Sequence, residues 1–147
     1  MDLLTRELRT LADTAALAAE VAPRLLPGGL LLLVGDLGAG KTTFTQALAR
    51  VYGINRTVTS PTFTLANEYP MAGGERLVHY DLYRLASPEG LYDLGLEDAI
   101  ERGARMVIEW PERAEAVLNR ELPHRLRLNL ILREDGTRLA TLSEETV

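Results

Sequence analysis

The sequence predicts an α/β fold on one mixed sheet, with parallel strands at its centre and antiparallel hairpins added. Three observations carry this. The apolar run Leu30–Val34 leads into a glycine-rich segment and then a helical stretch, the order of a buried strand feeding a loop and a helix. Phe63–Tyr69 and Arg76–Asp81 both read as strands, and the Met71–Glu75 turn between them is too short for a helical crossover, so they pair antiparallel. His124–Leu132 alternates, with Leu126, Leu128, Leu130 and Leu132 on one face, and Asp135-Gly136 follows as a hairpin turn.

The remaining elements follow in chain order. Asp13 is expected to cap a helix from Thr14 to about Leu26 that presents Leu17, Val21 and Leu25 on one face. Pro23 should kink that helix or end it early. Pro27-Gly28-Gly29 turns the chain into the Leu30–Val34 strand. A helix over Thr42–Tyr52 stops at Gly53, and a hydroxyl-rich loop, Asn55–Thr62, precedes the hairpin. Ser87-Pro88-Glu89 reads as a helix start, because a cap residue precedes a proline at the first helical position. Arg105–Trp110 is a buried strand closed by Pro111, Glu112–Leu118 is helical, and a last strand lies near Arg138–Leu142.

At 147 residues, without repeats or a low-complexity linker, the expectation is one domain spanning 1–147. A chain with 46% hydrophobic and 25% charged residues has the composition of a soluble globular protein. Leu30–Val34 is far too short to span a bilayer, and the start Met1–Arg6 lacks the order of a signal peptide. The absence of cysteine excludes disulfides and thiolate metal sites, which suits a cytoplasmic location. A net charge of −5 argues against broad, non-specific binding to a nucleic-acid backbone, so no extensive direct nucleic-acid contact is expected. One glutamine and a strong bias to arginine over lysine fit a thermophilic source or a GC-rich genome, and both readings stay open.

The one lysine of the chain is Lys41, at the end of Gly35-Asp36-Leu37-Gly38-Ala39-Gly40-Lys41-Thr42, against fifteen arginines. That segment fits the phosphate-binding-loop pattern and sits between a strand and a helix, the context the pattern requires. The fold class is therefore a single-domain, P-loop NTPase-like sandwich. An ammonium is a compact point charge that fits between phosphates, where a flat guanidinium fits badly. Backbone amides of Gly38, Ala39 and Gly40 and the start of the helix would cradle a polyphosphate. Thr42 stands where a hydroxyl meets Mg²⁺, and Thr43 can reach the α-phosphate.

Mg²⁺ prefers an octahedral oxygen shell, so a carboxylate is needed as well. Two strand-end acids offer it, Glu109 and Asp81. His79, Asp81 and Tyr83 alternate onto one face, which can bring His79 beside Asp81. Asp36, inside the loop, faces away from phosphate, pairs with an arginine or touches metal or water. Trp110, the one tryptophan, is either core packing or a contact surface. The base is adenine or loosely selected, because no second lysine exists for the Asn-Lys-x-Asp segment that reads guanine.

Four ordered segments together resemble the TsaE (formerly YjeE) family. They are Gly35–Thr43, Thr59–Leu65, His79–Leu85 and Ile108–Glu112, within a match that runs from about Leu30 to Glu112. The resemblance implies a cytoplasmic, Mg²⁺-dependent ATP-binding protein and weak ATPase associated with threonylcarbamoyladenosine formation in tRNA. Such a protein acts on the TsaD–TsaB complex and permits its repeated turnover, without itself being the threonylcarbamoyl transferase. Carried over by position, Lys41 binds phosphate, Thr42 and Glu109 hold Mg²⁺, and Asp81 assists the metal or the attacking water. Trp110 matches a position the family associates with function. Leu11 and Gly136 are the candidates for lining the nucleotide from the first helix and the C-terminal turn.

Two other classes share the loop: a small phosphotransferase kinase, and a nucleotide-gated binding module with negligible hydrolysis. No arginine finger is recognisable in the sequence; Arg56 and Arg84 are the internal candidates. Catalysis is accordingly expected to be completed when the partner complex orders the Thr57–Thr62 loop.

Overall fold

The computed structural model describes residues 1–61 and 64–147. Thr62 and Phe63, assigned from the sequence to the hydroxyl-rich loop and the first hairpin strand, lie outside the described residues. Seven strands form one sheet: β1 (Asp2–Leu8), β2 (Leu30–Val34), β3 (Ala66–Pro70), β4 (Arg76–Asp81), β5 (Arg105–Glu109), β6 (His124–Leu132) and β7 (Arg138–Thr146). Their spatial order is β1-β7-β6-β2-β5-β4-β3. The four central strands, β4, β5, β2 and β6, run parallel, while β3, β7 and β1 pair antiparallel at the flanks. The mixed sheet expected from the sequence is therefore present.

β2 shows why a run of leucines makes a central strand. Leu31 and Leu33 enter one core with Leu17, Val21, Phe44 and Leu48. Leu30 and Leu32 enter the other with Leu91, Leu96, Val117 and Leu118. Successive side chains leave opposite faces, so a strand covered on both faces must be apolar throughout. The first face is covered by α1 (Leu11–Val21) and α2 (Lys41–Val51). The second is covered by α3 (Gly90–Asp93), α4 (Leu96–Glu101) and α5 (Glu115–Glu121). Among the described residues no helix is long and apolar enough to cross a membrane.

Several expectations need correction. Asp13 does not cap α1: the cap is Thr10, whose Oγ1 accepts from the Asp13 amide, while the Asp13 carboxylate accepts from the Thr10 amide. The reciprocal pair is a capping box with aspartate in the third helical position. Pro23 ends the helix early, as expected, and a 3-10 turn, Ala22–Arg24, replaces the projected extension to Leu26. Ser87-Pro88-Glu89 is a turn; α3 begins at Gly90, and Gly95 at φ 84° separates it from α4. A 3-10 turn, Pro111–Ala114, takes the first half of the helix expected at Glu112–Leu118. Leu132 is 48% exposed, so the apolar face of β6 ends at Leu130.

β1 was invisible to pattern reasoning. Of its residues only Leu4 and Leu8 are buried, a spacing of four with no alternation. It is an edge strand held by its ladder to β7. The last strand also outruns its expected end at Leu142, because polar Ser143–Thr146 stay paired with His124–Arg127 of β6. Backbone hydrogen bonding, not hydrophobic pattern, carries both extensions.

Candidate functional site

The four parallel strands end along one edge of the sheet, at Asp81, Glu109, Val34 and Leu132. Ligands of open α/β sheets bind outside these carboxyl ends. There the chain leaves β2 and makes a tight loop into α2. A Cβ on Gly35 would stand 2.7 Å from the Leu130 carbonyl oxygen, so only glycine lets the loop pass β6. Gly38 and Gly40 lie in the left-handed region, at φ 82° and 99°. α2 starts at Lys41 without a side-chain cap, which leaves its first amides for an anion.

Lys41 is 7% exposed. Its Nζ lies 3.7 Å from Oε1 of Glu109 and 4.2 Å from the centre of the Trp110 ring. Glu109 is itself buried, and its other oxygen, Oε2, is 2.6 Å from Nε2 of His79. The alternation of β4 allows His79 beside Asp81 on one face; the hydrogen bond of its ring runs to Glu109 on the neighbouring strand. Asp81, also buried, faces Glu109 in the β4–β5 register and accepts the Tyr83 amide at 3.0 Å. Trp110 sits at φ 57°, a left-handed conformation costing a non-glycine residue on the order of 1 kcal/mol. That kink at the end of β5 turns the indole across Lys41, and Tyr83 braces it with ring centres 5.0 Å apart.

The comparisons with known proteins match this architecture. The family model described as "Threonylcarbamoyl adenosine biosynthesis protein TsaE" matches residues 8–140. The chain belongs to the TsaE family. Its members are involved in biosynthesis of threonylcarbamoyladenosine in tRNA. Proteins called tRNA threonylcarbamoyladenosine biosynthesis protein TsaE include one from Rickettsia conorii, 40% identical over 88% of this chain and 72% of its own length. The one from Treponema pallidum is 39% identical over 92% of this chain and 96% of its own. The crystal structure of Bacillus subtilis YdiB superposes with a TM-score of 0.79 at 32% identity, covering 100% of this chain and 88% of that one.

In this TsaE-family chain, Gly38, Gly40, Lys41, Thr42, Asp81 and Glu109 line a common cavity of about 340 Å³, with Trp110 and Ser60 at its walls. Ala39, within the loop, is buried. Thr43 lines both this cavity and a neighbouring one of about 280 Å³, which Leu11 also borders. Leu11 is 76% exposed, so it offers an apolar rim and no core contact. Gly136, at φ 84° in the β6–β7 turn, shapes the hairpin that delivers Arg138. Asp36 is exposed and lines a third cavity, of about 510 Å³, on the β6 side of the loop.

Arg138 is the residue that sequence reasoning missed. Its Nη2 donates to the Gly38 carbonyl at 3.0 Å, and its side chain lies against Gly40, where an added Cβ would meet Nε at 3.2 Å. It lines both of the smaller cavities, and Nε is buried without a hydrogen-bond partner among the described residues. The two arginines singled out from the sequence lie elsewhere: Arg56 borders a separate cavity with Arg50 and Gln46, and Arg84 is exposed. Nothing local to Arg138 marks it, since the contact spans a hundred residues.

The donor set decides what fits. Loop amides, an ammonium and a guanidinium suit a polyphosphate. The Thr42 hydroxyl with the Asp81 and Glu109 carboxylates suits a hard cation that takes oxygen ligands. Among the described residues no group of three or more His, Asp or Glu side chains is arranged to hold a metal unaided. Such a cation would need oxygens from the bound anion as well.

Proposed function

We propose that this chain, acting as one P-loop domain over 1–147, is a Mg²⁺-dependent ATP-binding protein and slow ATPase of the cytoplasm. Its role is to act on the TsaD–TsaB complex and permit repeated rounds of threonylcarbamoyladenosine formation, while the acyl transfer belongs to its partners. The observation that carries this reading is the setting of Lys41. The one lysine of the chain stands at the mouth of the loop, between a carboxylate and an indole, in a cavity shared with Arg138.

Lys41 and the amides of Gly38, Gly40, Thr42 and Thr43 would hold the phosphates; Ala39, whose amide donates to the Asp36 carbonyl, would shape the loop, and Arg138 would approach from beside Gly38 and Gly40. Thr42 and Glu109, with Asp81 beside them, would hold Mg²⁺. Bound Mg²⁺ supplies charge neutralisation on the phosphate oxygens. Asp81 would orient the attacking water, which its burial and its bond from the Tyr83 amide support. Leu11 would pack on the base, with Gly136 near it. A net charge of −5 supports protein partners over extensive tRNA contact.

Arg138, rather than the sequence candidates Arg56 and Arg84, would supply a cation in cis, which its place in the cavity beside Lys41 supports. Ser60 lies at the cavity wall, and Gln46 donates to the Val58 carbonyl, which ties the segment before Ser60 to α2. Steady-state ATP hydrolysis, measured with the protein alone and with purified TsaD–TsaB, tests the reading. A slow basal rate that rises with the complex is expected. Equal rates in both conditions point to a self-sufficient ATPase, and no hydrolysis in either to a nucleotide-gated binder.

A further inference from the structure

We infer that His79 is a positioning residue for Glu109: it holds one carboxylate oxygen so that the other is presented to Lys41 and the cavity. The inference rests on the nucleotide-site reading above and adds a residue that reading does not use. β4 and β5 pair His79 with Val107 and Asp81 with Glu109, so His79 and Glu109 are diagonal neighbours on one face of the sheet. His79 is fully buried, and its Nε2 lies 2.6 Å from Oε2. Oε1 is the oxygen 3.7 Å from the Lys41 ammonium. A carboxylate only accepts, so the ring hydrogen sits on Nε2. Nδ1 has no hydrogen-bond partner among the described residues, and a hydrogen there would be a buried donor left unmade.

The two oxygens of Glu109 thus face different surroundings, Oε2 the imidazole and Oε1 the Lys41 ammonium and the cavity. Without the Nε2 hydrogen the buried carboxylate would have Lys41 as its neighbouring cation and would draw it away from the loop. The geometry explains why an imidazole stands in an otherwise apolar run of β4. It also accounts for one anchored nitrogen and one bare one, which simple core filling does not require.

Two measurements test this. Histidine labelled with ¹⁵N gives a spectrum of two rings, because the chain has two histidines. His79 is expected to carry its hydrogen on Nε2, protected from exchange; a hydrogen on Nδ1 with bare Nε2 overturns the inference. The second compares His79→Gln, whose amide nitrogen reaches the Nε2 position, with His79→Asn, whose amide falls short. Mg²⁺ and ATP titrations are followed by the fluorescence of Trp110. His79→Gln should stay close to the wild type, whereas His79→Asn should need roughly tenfold more Mg²⁺ for half-maximal ATP retention. Equal behaviour of the two variants, both impaired or both normal, overturns it. Should the wild-type protein bind no ATP, the nucleotide reading fails while the ring measurement still decides the His79–Glu109 bond.

Discussion

Lys41 lies in a place where water barely reaches, with a carboxylate and an indole as its neighbours. Glu109 compensates the ammonium, and the Trp110 face adds a contact worth about 1–2 kcal/mol when desolvated. Lys41→Ala should leave the fold intact and reduce ATP affinity at least tenfold, since a charge-assisted contact is worth about 1.5–3 kcal/mol. Calorimetric titration of the folded variant checks it; wild-type affinity would remove the phosphate-loop assignment. Arg138→Ala should weaken ATP binding by roughly tenfold on the same grounds, without raising the Mg²⁺ requirement. Thr42→Ala and Glu109→Ala should raise that requirement, because each removes an oxygen donor. Asp81→Asn should lower hydrolysis in the partner complex more than it lowers binding; normal turnover there would make Asp81 a structural acid.

At the scale of elements, the site depends on how α1 and α2 are fastened to the sheet. The Thr10–Asp13 capping box starts α1 beside Leu11, at the rim of the cavity that Thr43 and Arg138 share. Thr10→Ala should cost about 1 kcal/mol, read as a lower midpoint in urea with an unchanged slope. At the far end of α2, the Tyr52 hydroxyl donates to the Ala22 carbonyl at 2.8 Å, tying the helix to the turn after α1. Burial is the main cause that pushes the Tyr52 phenol up, to about 12, with the nearby Arg105 opposing it. Tyr52→Phe should cost about 1 kcal/mol near neutral pH through loss of that bond.

The same phenol has a consequence for the whole molecule. Burial also raises the Tyr80 hydroxyl above its ordinary range. Unfolded tyrosines release their protons near pH 10, whereas these two hold theirs to higher pH when folded, so the folded state binds more protons in between. Stability is therefore full below pH 10 and falls as pH rises from 10 toward about 12, where the Tyr52 contribution is spent. Chemical denaturation at pH 8, 10 and 11.5 checks this, and Tyr52→Phe should flatten the slope. An unchanged slope in that variant would assign the alkaline loss to other groups.

Local chemistry made much of this protein legible before its fold was known. The loop Gly35–Thr42 declares itself because left-handed glycines and a lone lysine are demands that neighbouring residues place on one another. The central strands declare themselves because burial on both faces leaves only apolar side chains. Strand-end acids at Asp81 and Glu109 follow from where such strands must stop. Other features are set by contacts across the chain and leave no local trace. β1 is a strand because β7 pairs with it, with two buried leucines as its apolar signal. Arg138 reaches the glycine loop after β2 because the β6–β7 hairpin brings it to the Gly38 carbonyl, and no pattern around it says so. His79 meets Glu109 because parallel register, not sequence spacing, chooses the diagonal neighbour. Spacing along one strand determines which face a side chain takes; which partner it finds there is decided by the strand beside it.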